Sequence, residues 1–196
     1  MKQLKSHDFE EVYKWLGINL NKLGCVMLDL EPIKIDHWIG QDGVTAYYYS
    51  VPLYTAKNKE RFWIDGWVAD KAPHITLLYG LLEEAKNYEA HIERVLNGWH
   101  LEEVEIEDFG YFDSPYSDEP YYCVVAFIKV TPELIEGHQR LEFLPHVNTF
   151  AGYKPHMTIA YIRKEDVARD NLIADLRKEF VGKKLRIVSR NLGGNI

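Results

Sequence analysis

Residues 155–162 read Pro155-His156-Met157-Thr158-Ile159-Ala160-Tyr161-Ile162. Residues 73–79 repeat them in type, as Pro73-His74-Ile75-Thr76-Leu77-Leu78-Tyr79. Each run is short and apolar and reads as a strand, in which residues i and i+2 share a face. His74, Thr76 and Leu78 then share one face, and Ile75, Leu77 and Tyr79 the other. His156, Thr158 and Ala160 match the first set; Met157, Ile159 and Tyr161 match the second. Each strand therefore sets an imidazole beside a hydroxyl, turned away from its most apolar neighbours. Two such pairs facing one another supply two proton-transfer groups and two hydrogen-bond donors around a single anion. That is equipment for acid–base chemistry at a phosphate, and it requires no metal.

A single Pro-His-x-Thr carries little information, since it also describes a buried histidine near a strand end. Such a pattern arises by chance in about one chain of this length in forty, and twice in roughly one in a few thousand. The surroundings repeat too. Ala85, Tyr88, Ile92, Val95 and Leu96 after the first run, and Val167, Leu172, Ile173, Leu176 and Phe180 after the second, have helical spacing. A strand–helix unit thus recurs 82 residues on, from His74 to His156. That offset is too long for a solenoid repeat and suits an internal duplication or a pseudo-two-fold arrangement.

On these motifs the chain resembles the two-histidine (2H) phosphoesterase superfamily, which includes 2′-5′ RNA ligase-like RNA 2′,3′-cyclic phosphodiesterases and phage enzymes that degrade cyclic-nucleotide signals. The resemblance runs from about residue 44 to 190, and residues 150–162 match best. It implies an α+β, bilobal fold: two antiparallel sheets with outer helices, related by a pseudo-two-fold around a central cleft lined by the motif strands. It further implies that His74 and His156 are the acid/base pair and that Thr76 and Thr158 donate to the phosphate oxygens. Where the family carries an arginine just after the second motif this chain has Tyr161, with Arg163 two residues later. Residues 1–40 have no counterpart and read as an N-terminal extension on a domain spanning 41–196.

The remaining patterns fit an α+β chain. Phe9, Val12, Tyr13, Leu16 and Leu20 predict a helix over 6–22. Strands are expected at 25–30, 44–54, 61–68, 104–112, 121–130 and 184–188, with a Gly-rich turn over 39–43. Thr131, Pro132 and Glu133 form a helix start, with Thr131 as N-cap and the acid near the positive end of the dipole; the helix is expected to run to 144.

Composition narrows the partners. The formal charge is −7, with 23 Lys and Arg against 30 Asp and Glu. A protein gripping long nucleic acid usually shows a basic stripe, so a small nucleotide or oligonucleotide fits better than a long duplex. No apolar run reaches the length of a membrane span, and residues 1–10 are charged rather than leader-like. A cytoplasmic monomer without cofactor is the expectation, with Cys25 and Cys123 as free thiols of a reducing compartment. His91, His100, His138 and His146 lack metal-ligand spacing, and no metal site is expected. Tyr111 and Phe112 before the polar loop at 113–120, with Tyr153, Lys154 and Arg163 around the second motif, are the candidate substrate contacts, the rings for a base and the cations for phosphate. The function expected is hydrolysis of a cyclic, 2′-5′ or 3′-5′ phosphodiester in a small nucleotide, such as a cyclic immune signal degraded by a phage enzyme. RNA 2′,3′-cyclic end processing and non-catalytic nucleotide binding are the alternatives.

Overall fold

The computed structural model describes residues 14–19, 22–31, 34–39, 45–49, 73–113, 121–148, 152–163 and 168–194. The strand expected at 61–68 and most of the helix expected at 6–22 lie outside them; residues 14 and 15 are helical. In chain order the elements are β1 (Gly24–Leu30), β2 (Lys34–Ile39), β3 (Thr45–Tyr49), β4 (His74–Leu81), a 3-10 turn (Ala85–Tyr88) leading into α1 (Glu89–Val95), β5 (Glu103–Asp113), β6 (Tyr121–Ile128), α2 (Pro132–Leu141), β7 (His156–Arg163), α3 (Ala168–Phe180) and β8 (Lys184–Gly194).

The described strands form one six-stranded antiparallel sheet, ordered β4-β1-β8-β5-β6-β7, and a separate β2–β3 pair. This corrects the expectation of two main sheets. The reason lies in β8, which is longer than its apolar stretch suggests. Its residues 184–186 pair with β5 and its residues 187–194 with β1, so one strand splices the two halves together. The splice is three residue pairs long, Glu103↔Arg186, Val104↔Leu185 and Glu105↔Lys184, and Lys184 pairs its ammonium with Glu103. β2 forms ahead of the expected turn, where the sequence predicts no strand, and its Ile35 and Trp38 pair with Tyr48 and Ala46 of β3.

The two outer ladders carry the same register. Asp29, Leu28 and Met27 of β1 face His74, Ile75 and Thr76, then Val26 and Cys25 face Leu78 and Tyr79, skipping Leu77. Phe127, Ala126 and Val125 of β6 face His156, Met157 and Thr158, then Val124 and Cys123 face Ala160 and Tyr161, skipping Ile159. Each motif strand thus has a bulge one residue past its threonine. A bulge bends its strand and adds twist. The two edge strands, β4 and β7, accordingly come into contact although they stand at opposite ends of the sheet order.

A single core cluster unites the halves. Ile75, Leu77, Met157, Ile159, Val124, Ala126 and Phe109 from the sheet meet Ile92 of α1, Leu134 and Leu141 of α2, and Ile173, Leu176 and Phe180 of α3. Burying side chains of this kind is worth about 1.5–3 kcal/mol each. α2 starts as the sequence predicts, with Thr131 Oγ1 accepting from the Leu134 amide at 3.2 Å and Pro132 in the first turn. It ends at Leu141 rather than 144, because the chain turns to lay residues 145–147 along β4. Val147 donates to the Gly80 carbonyl at 2.8 Å there, and Leu81 bridges His146. That approach requires Gly80, whose φ is +105° and whose Cβ position lies 2.2 Å from the Val147 oxygen.

Candidate active site

The second motif histidine is held in an apolar corner. In the β6–β7 register His156 lies opposite Phe127. Its ring meets Phe112 edge-on, centroids 4.9 Å apart, and Phe112 in turn meets Phe127 at 5.7 Å. Nδ1 lies 2.8 Å from the Lys154 carbonyl. A carbonyl only accepts, so Nδ1 carries the hydrogen and Nε2 is left as the nitrogen that gains or loses a proton. Burial pushes the His156 pKa below the usual histidine value, and the nearby positive form of His74 pushes it the same way, against the Lys154 carbonyl. Near neutrality His156 is an uncharged imidazole with a free lone pair.

The first motif histidine has a polar setting at the equivalent position. His74 lies opposite Asp29 on β1, and Asp29 lies opposite Ser189 on β8. Across an antiparallel pair such residues share a face, with Cβ atoms about 4.5–5.5 Å apart. Ser189 Oγ donates to Asp29 Oδ2 at 2.7 Å, and Asn191 Nδ2 donates to Oδ1 at 3.3 Å. A fixed carboxylate therefore stands beside His74 where an aromatic ring stands beside His156. Thr158 shares the motif face with Cys123, whose sulfur is 3.8 Å from its hydroxyl. β4 and β7 touch, and His74 lies close enough to His156 to act on its charge.

A model of the 2′-5′ RNA ligase superfamily matches residues 52–194. The chain belongs to that superfamily, the 2H phosphoesterases. The matched span contains both 2H motifs and every described element from β4 onward. Among solved structures the chain is similar to Usb1 of Kluyveromyces marxianus, with a TM-score of 0.46 and 10% identity, over 89% of this chain and 95% of that one. Comparison with curated proteins gives no match.

The structure sorts the sequence-derived candidates of this 2H chain. His74 lies near His156, each with its threonine two residues further along the same strand, and Phe112 packs against His156. Tyr111 does not join them. It pairs with Val124 on the opposite face and packs edge-on against Tyr122 at 4.8 Å, because neighbouring strand residues point to opposite sides. Nor is Tyr153 a free stacking platform: His138 covers its ring at 4.0 Å with an 8° interplanar angle, and its hydroxyl donates to the Thr76 carbonyl. Lys154 is exposed and contributes its carbonyl to His156. The Arg163 side chain lies outside the described residues.

The bulges also revise the strict alternation read from sequence. Past Leu77 the faces exchange, so Leu78 enters the core while Tyr79 stands opposite Cys25 on the motif face. Burial, with the Cys25 thiol beside it, raises the Tyr79 pKa, and its hydroxyl stays a donor. No pattern in the sequence brings Asp29, Ser189 and Asn191 to the first motif. The signal available was Asp29 itself, the one charged residue in the strand GCVMLDL. Among the described residues no three His, Cys, Asp or Glu side chains cluster as metal ligands, and no helix is long and apolar enough to cross a membrane.

Proposed function

We propose that this 2H chain is a phosphodiesterase acting on a nucleotide or small oligonucleotide, with His156 as general base and His74 as general acid. The observation that carries the reading is the contrast between equivalent positions. His156 is half-buried against the Phe112 ring, with its tautomer set by the Lys154 carbonyl, whereas His74 stands opposite Asp29. Neutral His156 takes a proton from the attacking hydroxyl or water at Nε2. The oxygen so activated bonds to phosphorus, the bond to the leaving ribose oxygen breaks, and His74 gives that oxygen its proton. Each positioned group is worth about 10²–10⁴ in rate. Thr76 and Thr158 donate to the non-bridging oxygens as these gain charge. The two imidazoles serve both proton transfers, so the step calls for no metal.

The placement of the two motif strands at opposite edges of the sheet and their matched bulges support reading the sheet as two related halves, with the site where those edges meet. Phe112, beside the base, is the best-placed ring for a nucleobase. RNA 2′,3′-cyclic ends are the second reading, favoured by the superfamily match. A counter-defence role on a cyclic signal finds no support in the described residues.

A substrate panel read by mass spectrometry tests this: 2′,3′-cyclic mononucleotides and RNA ends, 2′-5′ oligoadenylate, and cyclic di- and trinucleotides, each with and without EDTA. Turnover of at least one, unaffected by EDTA and lost in His74→Ala and His156→Ala, is the expected result. Binding without turnover would instead establish a non-catalytic nucleotide binder. A steep salt dependence of binding would favour RNA ends over a small ligand.

A further inference from the structure

Tyr153 and His138 connect parts of the molecule that the chemistry requires to be in register. Tyr153 precedes His156 by three residues, and Pro155 between them restricts the backbone. Its hydroxyl donates to the carbonyl of Thr76, in the first motif, at 3.3 Å. Its ring stacks on His138 of α2, nearly parallel. His138 Nδ1 in turn donates to the Leu77 carbonyl at 2.7 Å. Leu77 is the bulge residue of β4, without a partner in the β1 register. The imidazole therefore satisfies a carbonyl at the irregular point of the strand. Two successive carbonyls of the first motif strand are thus held by two stacked side chains, one of which leads directly into the second motif.

We infer that Tyr153 is a positioning residue, which with His138 locks the approach to β7 onto β4 and so sets the spacing between the two motif histidines. The inference rests on the phosphodiesterase reading for its catalytic consequence, though not for its geometry. The hydroxyl bond is long, so the hydroxyl alone is a weak tether and the stack carries the remainder. Burial raises the Tyr153 pKa well above the usual tyrosine value, so the phenol stays a donor at any working pH. A displacement of about 1 Å between reacting groups costs on the order of 10² in rate.

The test compares the full chain with Tyr153→Phe, which keeps the stack, and His138→Ala, which removes it; His138→Phe preserves volume should the alanine variant fail to fold. Tyr153→Phe should lower kcat about tenfold and His138→Ala about 100-fold, with KM within twofold for both. A merely structural role would lower Tm and leave kcat of the folded protein unchanged. A second readout does not depend on activity. NMR titration should show the His156 midpoint rising when His74 is changed to Gln, and rising less in the Tyr153→Phe background, because looser strands weaken the coupling. Wild-type kcat in the Tyr153 and His138 variants, or coupling undiminished by Tyr153→Phe, would overturn the inference. If the wild-type chain turns over nothing, the phosphodiesterase reading fails while the titration still decides the spacing.

Discussion

Replacing Phe112 by alanine removes the ring that covers one edge of His156. Burial is the largest cause of the lowered His156 pKa, so letting water reach the imidazole raises its pKa toward the usual histidine value. A fully buried Phe→Ala change costs about 3–5 kcal/mol. Phe112 is half-buried, which roughly halves that figure to about 2 kcal/mol, including its edge contacts with His156 and Phe127. In a chain of this size that corresponds to a fall in Tm of about 4–8 °C. The assay pairs a thermal melt with the pH dependence of kcat/KM, whose acid limb reports the base of the free enzyme. In the wild-type chain that limb lies below the ordinary histidine range, and in Phe112→Ala it moves up. The folding stability of the wild type should also fall as pH drops from about 6.5 through the lower His156 value, since the unfolded chain binds the proton first. In the variant this window narrows. An acid limb that stays in place in a folded Phe112→Ala protein would refute the assignment of His156 as a base held neutral by burial.

Three further expectations follow from the geometry. Thr158→Val removes the hydroxyl while keeping the side chain's shape, and should lower kcat by about 10²-fold with little change in KM, as loss of an oxyanion donor does; a raised KM with kcat unchanged would assign it to ground-state binding instead. Gly80→Ala places a methyl group 2.2 Å from the Val147 carbonyl at a positive φ, and should cost at least about 2 kcal/mol in denaturant unfolding. Arg177 donates to both carboxylate oxygens of Asp108 and to the Phe109 carbonyl, tying α3 to β5 and holding the Asp108 pKa below the usual value. Arg177→Met should cost about 1 kcal/mol or less near pH 7, because the pair is half-exposed, and the difference from wild type should shrink as acid titrates Asp108 below pH 4, leaving only the bond to the Phe109 carbonyl.

The sequence by itself determined the motif strands, the helices that follow them, the Thr131 cap and the pairing of each histidine with a hydroxyl, because each is written in neighbouring residues and a short period. What it could not hold was anything that depends on a partner strand. A bulge is a mismatch between two strands, so the exchange of faces after Leu77 and Ile159 is invisible in either run alone. Tyr111 and Phe112 stand side by side in the chain yet on opposite faces, and only the register with β6 says which one reaches His156. β8 continues beyond its apolar stretch because β1 supplies the hydrogen bonds that its own composition does not demand. The tertiary structure likewise decided the environments of the two histidines. Asp29 lies 45 residues before His74 and Phe112 lies 44 before His156, distances over which periodicity carries no information. Burial and neighbouring charge set a proton affinity, and both arise only when strands far apart in sequence lie a few ångströms apart in the sheet.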